Sequence, residues 1–97
     1  MKITFLGTSA MLPTKERNPS SIFLEYKSEG LLIDCGEGTQ KQIRIAGIKP
    51  TKITKLLITH FHGDHILGIP GLMQSLVANN YEGILEVYGP EKTSYYL

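Results

Sequence analysis

The chain has 97 residues, 41% of them hydrophobic and 20% charged, which describes one ordinary globular unit with a thin core. Ten basic and nine acidic residues leave a net charge of +1, excluding a broad basic field for nucleic acid, so any RNA contact must come from a few placed residues. A single cysteine, Cys35, excludes an internal disulfide, fits a reducing cytoplasmic setting, and reads first as a small buried hydrophobe.

Lys2 to Leu6 is a β-prone run ending at Gly7-Thr8-Ser9. Its apolar part, Ile3 to Leu6, is too short for a secretory signal or a membrane span. A polar loop from Ala10 to Pro19 follows, punctuated by Pro13 and Pro19. Ser21 to Tyr26 alternates as a second strand; Ser28-Glu29-Gly30 reads as a tight turn, and Leu31-Leu32-Ile33 as a third strand completing a hairpin. Asp34 to Gly38 closes that strand with turn residues.

From Thr39 the period becomes helical. Thr39 is placed to cap, Ile43, Ile45 and Ala46 form the apolar face, and Gly47 stops the helix. Pro50-Thr51-Lys52-Ile53 leads into a short buried strand, Lys55 to Thr59. A helix is expected from His65 to about Ala78, with Leu67, Leu72, Leu76 and Val77 inward and its first turns broken at Gly68, Pro70 and Gly71. Ile84 to Tyr88 makes a fifth strand, and Gly89-Pro90-Glu91 reads as the entry to another helix. Strands alternating with helices predict α/β layering, with one sheet edge and one sheet face uncovered.

All three histidines fall within six consecutive positions, His60, His62 and His65, with Asp64 among them. Imidazole and carboxylate are the donors that borderline divalent metals such as zinc prefer. In an extended turn His60 and His62 project to one side and reach one metal, while Asp64 and His65, after the flexible Gly63, serve a second ion nearby. Two adjacent metals clamp the attacking and leaving oxygens of a displacement. A lone histidine would carry no such reading. Asp34, at a strand end near this loop, is expected to fix a histidine's orientation or the loop backbone from behind the ligands. Glu37 and Thr39 read more simply as turn and cap.

The His60-Phe61-His62-Gly63-Asp64-His65 run resembles the H-x-H-x-D-H signature of the metallo-β-lactamase superfamily. Three further stretches resemble one branch of it, the ribonuclease Z family of tRNA 3′-end processing endonucleases. Phe5-Leu6-Gly7-Thr8 is similar to the family's start. Pro13-Thr14-Lys15-Glu16-Arg17-Asn18 is similar to its P-x-K-x-R-N loop, and Asp34-Cys35-Gly36-Glu37-Gly38-Thr39-Gln40 to its D-x-G-E-G-T-Q element.

The resemblance implies a metallo-β-lactamase-type αββα sandwich, of which residues 1–97 form the amino-terminal half: about five strands and two to three helices in a single incomplete domain. It implies metal-dependent hydrolysis of precursor tRNA at its 3′ end, with two zinc ions in a complete active site. His60 and His62 would bind one zinc and Asp64 and His65 the other, with Asp64 also the catalytic proton acceptor. Lys15, Arg17 and Asn18 would handle substrate phosphates, a task suited to the arginine fork. Each catalytic zinc takes three protein ligands, and the family's remaining ones, two histidines and an aspartate, lie downstream, whereas no histidine follows His65 here. The chain alone is therefore expected to bind zinc weakly and cleave little, and to pair as a homodimer or with a complementary carboxy-terminal chain. Two other readings remain: a hydrolase of the same fold acting on a small phosphodiester, sulfate ester or thioester, and a non-catalytic metal-binding fragment. The P-x-K-x-R-N loop speaks for the ribonuclease.

Overall fold

Period-two patterning puts residues 21–33 into a tight hairpin, and the computed structural model, which describes residues 1–7, 21–59 and 66–91, shows how. Strand β2 (Ser21–Tyr26) pairs antiparallel with β3 (Glu29–Ile33), with Tyr26 opposite Glu29. Only Lys27 and Ser28 lie between, so the turn is tighter than the sequence suggests and Glu29 and Gly30 already belong to the strand. Lys27 takes the left-handed conformation, φ 55°, that such two-residue turns require. Strand β1 (Lys2–Gly7) adds antiparallel on the outer side of β2.

The next two strands run parallel to β3, so each needs a crossover. Helix α1 (Thr39–Ile45) and a 3₁₀ turn (Pro50–Lys52) lead to β4 (Lys55–Leu57), and helix α2 (Ile69–Ala78) leads to β5 (Glu86–Tyr88). Among the described residues the result is one five-stranded mixed sheet in the order β1-β2-β3-β4-β5. The predicted α/β layering is what forms.

Phe23, Leu32 and Leu56 stand side by side across β2, β3 and β4 and are fully buried. Ile43 of α1 and Ile69, Leu72 and Leu76 of α2 close over them, with Leu6, Cys35, Ile53 and Ile58 completing the cluster. Each large side chain removed from water in this way contributes about 1.5–3 kcal/mol. The helices thus cover one face of the sheet.

Several local expectations are corrected. Helix α2 runs from Ile69, with Pro70 in the first turn, where a helix has no use for the missing N–H; the turn at Leu67 and Gly68 before it is the break expected there, and His65 lies outside the described residues. Its buried stripe is Ile69, Leu72 and Leu76, at spacings of three and four; Leu67 and Val77, expected inward, are exposed because they lie off that stripe. In α1 only Ile43 of the apolar trio is buried, and Ile45 and Ala46 face solvent. Thr39 is not the cap. Gly38, at φ 84°, holds that position, and the Thr39 hydroxyl instead donates to the Gly36 carbonyl at 2.7 Å. Strand β5 begins at Glu86, and Ile84 is exposed.

The opposite sheet face is apolar and open. Ile3, Phe5, Tyr26 and Tyr88 on it are each more than half exposed. One polar group interrupts it: Lys55 reaches Glu29 at 2.6 Å and Glu86 at 3.6 Å, and the Thr54 hydroxyl donates to the same Glu29 oxygen at 2.7 Å. The hydrogen bond from Lys55, then that from Thr54, holds the Glu29 carboxyl below its ordinary range, and Glu29 in turn raises the Lys55 ammonium. No helix among the described residues is long and apolar enough to cross a membrane.

Candidate functional site

Because β3, β4 and β5 are parallel, their carboxyl ends share one edge of the sheet, where open α/β folds place ligands. Asp34 leaves β3 at that edge. Its N–H donates to the Leu57 carbonyl at 2.7 Å, and its carbonyl accepts from the Ser21 hydroxyl at 3.0 Å. Between these two ties its backbone turns left-handed, φ 61°, a conformation that aspartate tolerates better than most side chains.

The turn aims the carboxylate along the edge at the end of β4. Oδ1 accepts the Thr59 N–H at 2.8 Å and Oδ2 accepts the Thr59 hydroxyl at 2.9 Å. Thr59 immediately precedes His60. At the next residue the Cys35 carbonyl accepts the Gly68 N–H at 2.8 Å, just after the histidine segment. Gly68 approaches so closely that a Cβ there would overlap the Gly36 carbonyl oxygen and stand 3.0 Å from that of Cys35. The Gly36 oxygen is itself held by both the N–H and the hydroxyl of Thr39, at 3.2 and 2.7 Å.

The Cys35 side chain lies beneath this turn, fully buried. Burial pushes its thiol up to about 12, the Thr39 hydroxyl opposing and the Asp34 charge adding to the rise. A thiol so placed stays protonated and serves as a packing group, as its composition-based reading supposes. Glu37 is exposed on the turn.

Of the predicted site residues, Asp34 is described and contacts the loop backbone at Thr59. His60, His62, Asp64 and His65 lie outside the described residues, as do Lys15, Arg17 and Asn18. The chemistry of the donor set between Thr59 and Ile66, three imidazoles and one carboxylate, fits zinc. An open hollow of about 430 Å³ lies at the same edge, walled by Ile33, Leu57, Thr59, Tyr88 and Pro90. A larger one, about 660 Å³, sits between the helices near Arg44, Lys49 and Asn79. Sequence reasoning singled out neither the Thr59 hydroxyl nor Gly68 as a site contact. The only local signal for Gly68 was a glycine inside an apolar run.

Comparison with known proteins places this edge in context. The family model described as "Anti-Pycsar protein Apyc1" matches residues 1–94. Ribonuclease Z of Methanothermobacter thermautotrophicus is 56% identical over 90 residues, 93% of this chain and 29% of that protein. Ribonuclease Z of Methanococcus maripaludis is 52% identical over 94 residues, 97% of this chain and 30% of that protein. Among solved structures, the short form of human tRNase Z superposes with a TM-score of 0.90 at 41% identity, covering 99% of this chain and 38% of that one. A diphosphatase of the PhnP family superposes with a TM-score of 0.78 at 27% identity, covering 96% of this chain and 43% of that one. The chain spans about three tenths of the length of the curated relatives it matches. It belongs to the family whose model is described as Anti-Pycsar protein Apyc1, has the α/β architecture of metallo-β-lactamase-fold proteins, and is similar over nearly its whole length to the amino-terminal part of ribonuclease Z.

Proposed function

We propose that this chain supplies the amino-terminal part of a zinc-dependent endoribonuclease of the ribonuclease Z type, acting in the cytoplasm to remove the 3′ trailer of precursor tRNA. The observation that carries the reading is the 56% identity to a ribonuclease Z over 90 residues, 93% of this chain. In this reading His60 and His62 hold one zinc and Asp64 and His65 a second. Bound zinc supplies Lewis acidity, which draws charge from phosphate oxygens and acidifies water. Asp64 orients the attacking water and accepts its proton. Lys15 and Arg17 donate to substrate phosphates, and Asn18 hydrogen-bonds beside them. Asp34 holds the segment's entry through Thr59.

Two catalytic zinc sites call for more protein ligands than these four residues offer, so further ligands come from the part of the parent domain that residues 1–97 do not include. The open sheet face suits the same arrangement, and the assembled enzyme is a homodimer. The test is cleavage of a precursor tRNA by the intact protein, with and without chelator, beside His62→Ala. Trailer release that chelation and the substitution both abolish supports the reading. Release indifferent to both overturns it. Residues 1–97 alone are expected to cleave little.

A second reading is a hydrolase of the same fold acting on a smaller phosphoester. The similarity to a PhnP-family diphosphatase favours it. The intact protein then hydrolyses bis(p-nitrophenyl) phosphate while leaving precursor tRNA whole.

A further inference from the structure

Charge is sorted unevenly along the chain. From Thr39 to Thr59 and from Ile66 to Tyr81 the cations are Lys41, Arg44, Lys49, Lys52 and Lys55, and there is no aspartate or glutamate. All the acids fall outside these two stretches, which build both helices and their links, so the net charge of +1 hides a one-signed helix layer. Lys55 pairs with Glu29 and Glu86, and Lys52 reaches Glu25 at 3.6 Å. Among the described residues Arg44 and Lys49 form no ion pair, and both are exposed.

Arg44 and Lys49 both line the hollow of about 660 Å³ between the helices. Gln40, Gln74, Ser75 and Asn79 share its wall, and no carboxylate does. The Ser75 hydroxyl donates to Gln40 Oε1 at 3.1 Å, which leaves the Gln40 amide NH₂ to donate into the hollow. Carbonyls at the helix ends, which repel anions, are already engaged. Those of Gln42, Ile43 and Arg44 accept from Ala46, Ile48 and Gly47, and those of Ser75, Leu76 and Val77 accept from Asn79, Tyr81 and Asn80. The wall therefore offers positive charge and donors.

We propose that this hollow binds the sugar–phosphate backbone of RNA, with Arg44 and Lys49 each on a phosphate, a contact surface added to the ribonuclease reading above and resting on it. A guanidinium fork takes two oxygens of one phosphate and an ammonium acts as a point charge. Such contacts place a polyanion without reading its sequence. RNA presents a charge at every nucleotide, and once a precursor tRNA is held at the strand ends a second contact with it is intramolecular.

The test follows binding of labelled precursor tRNA to the intact protein by fluorescence anisotropy, in chelator and over a series of salt concentrations. Unchanged protein is compared with the double variant Arg44→Gln, Lys49→Gln, and with Lys2→Gln, an exposed cation of β1 outside the hollow. The double variant is expected to bind about tenfold more weakly, with log affinity against log salt shallower by about 1–2, and Lys2→Gln to change neither. Without chelator, KM for precursor tRNA rises in the double variant and kcat holds. Circular dichroism reports folding, and if the double variant does not fold, the single variants decide, each expected to lower the slope by about half as much. Equal affinity and slope in folded variants, beside unchanged protein that binds and cleaves, overturn the proposal and leave the ribonuclease reading standing. Lost binding of a polyglutamate peptide with RNA binding intact assigns the hollow to an acidic protein segment and overturns it too. Unchanged protein that binds no precursor tRNA overturns the ribonuclease reading, and the RNA surface with it.

Discussion

Asp34 holds Thr59 with both of its carboxylate oxygens, one on the backbone N–H and one on the hydroxyl, from a left-handed backbone position that is itself tied at both ends. Position and side chain are therefore selected together. Asparagine keeps the conformational tolerance and one acceptor; alanine keeps neither. Asp34→Ala is expected to destabilise the fold by about 2–4 kcal/mol, summing lost hydrogen bonds and left-handed strain, and Asp34→Asn by about 1 kcal/mol. Urea unfolding of the two variants beside the parent checks the order. Equal losses would mean that neither the conformational tolerance nor the acceptor that asparagine keeps contributes.

Cys35 gives a pH dependence of definite sign. Burial lifts its pKa from the ordinary 9.0 to about 12, so folding favours the protonated thiol. Its contribution is fully present below pH 9 and is lost as pH rises toward about 12. Cys35→Ala should therefore lose less stability than the parent between those pH values. In the native protein near neutrality the thiol should resist a disulfide reagent until the chain unfolds. Rapid native labelling would show that the turn opens.

Leu56 lies in the middle of the buried row, with a β strand on either side and the helices above. Leu56→Ala is expected to cost about 2–5 kcal/mol, as truncations in such sites do. Val77→Ala, on the same chain but 79% exposed, should change stability by less than about 0.5 kcal/mol. Thermal melts of the pair test the placement of Leu56 in the core and of Val77 outside it.

Lys55 and its two glutamates form a solvent-accessible network. Lys55→Met should therefore have a small effect that added salt removes. The Glu29 carboxyl lies below its ordinary 4.5, so its contribution is present above that pH and is lost as pH falls through the folded value. An effect of Lys55→Met that survives high salt would mean that the open face is covered in solution.

The alternating strands, the crossover helices and Asp34 at a strand end were legible because each depends on local periodicity or on a short turn signature. The contacts that shape the site were not. Asp34 and Thr59 are 25 positions apart, and nothing near either residue announces the pairing. Gly68 resembled a helix breaker because its reason for being glycine is a carbonyl on another segment. Thr39 and Val77 were misplaced by a shift of one residue. At the start of α1 such a shift exchanges the cap for the first helical residue, and in α2 it separates Leu76 in the core from Val77 outside.

The order of strands in the sheet is the order of strands in the chain. Each strand leaving the ribosome therefore finds its partner already made, and no place need be kept open in the middle of the sheet for a later arrival. The hairpin of β2 and β3 needs only neighbouring residues, whereas β4 and β5 must each wait for a helix to bring them back. The sheet can be laid down in the direction of synthesis, one strand at a time.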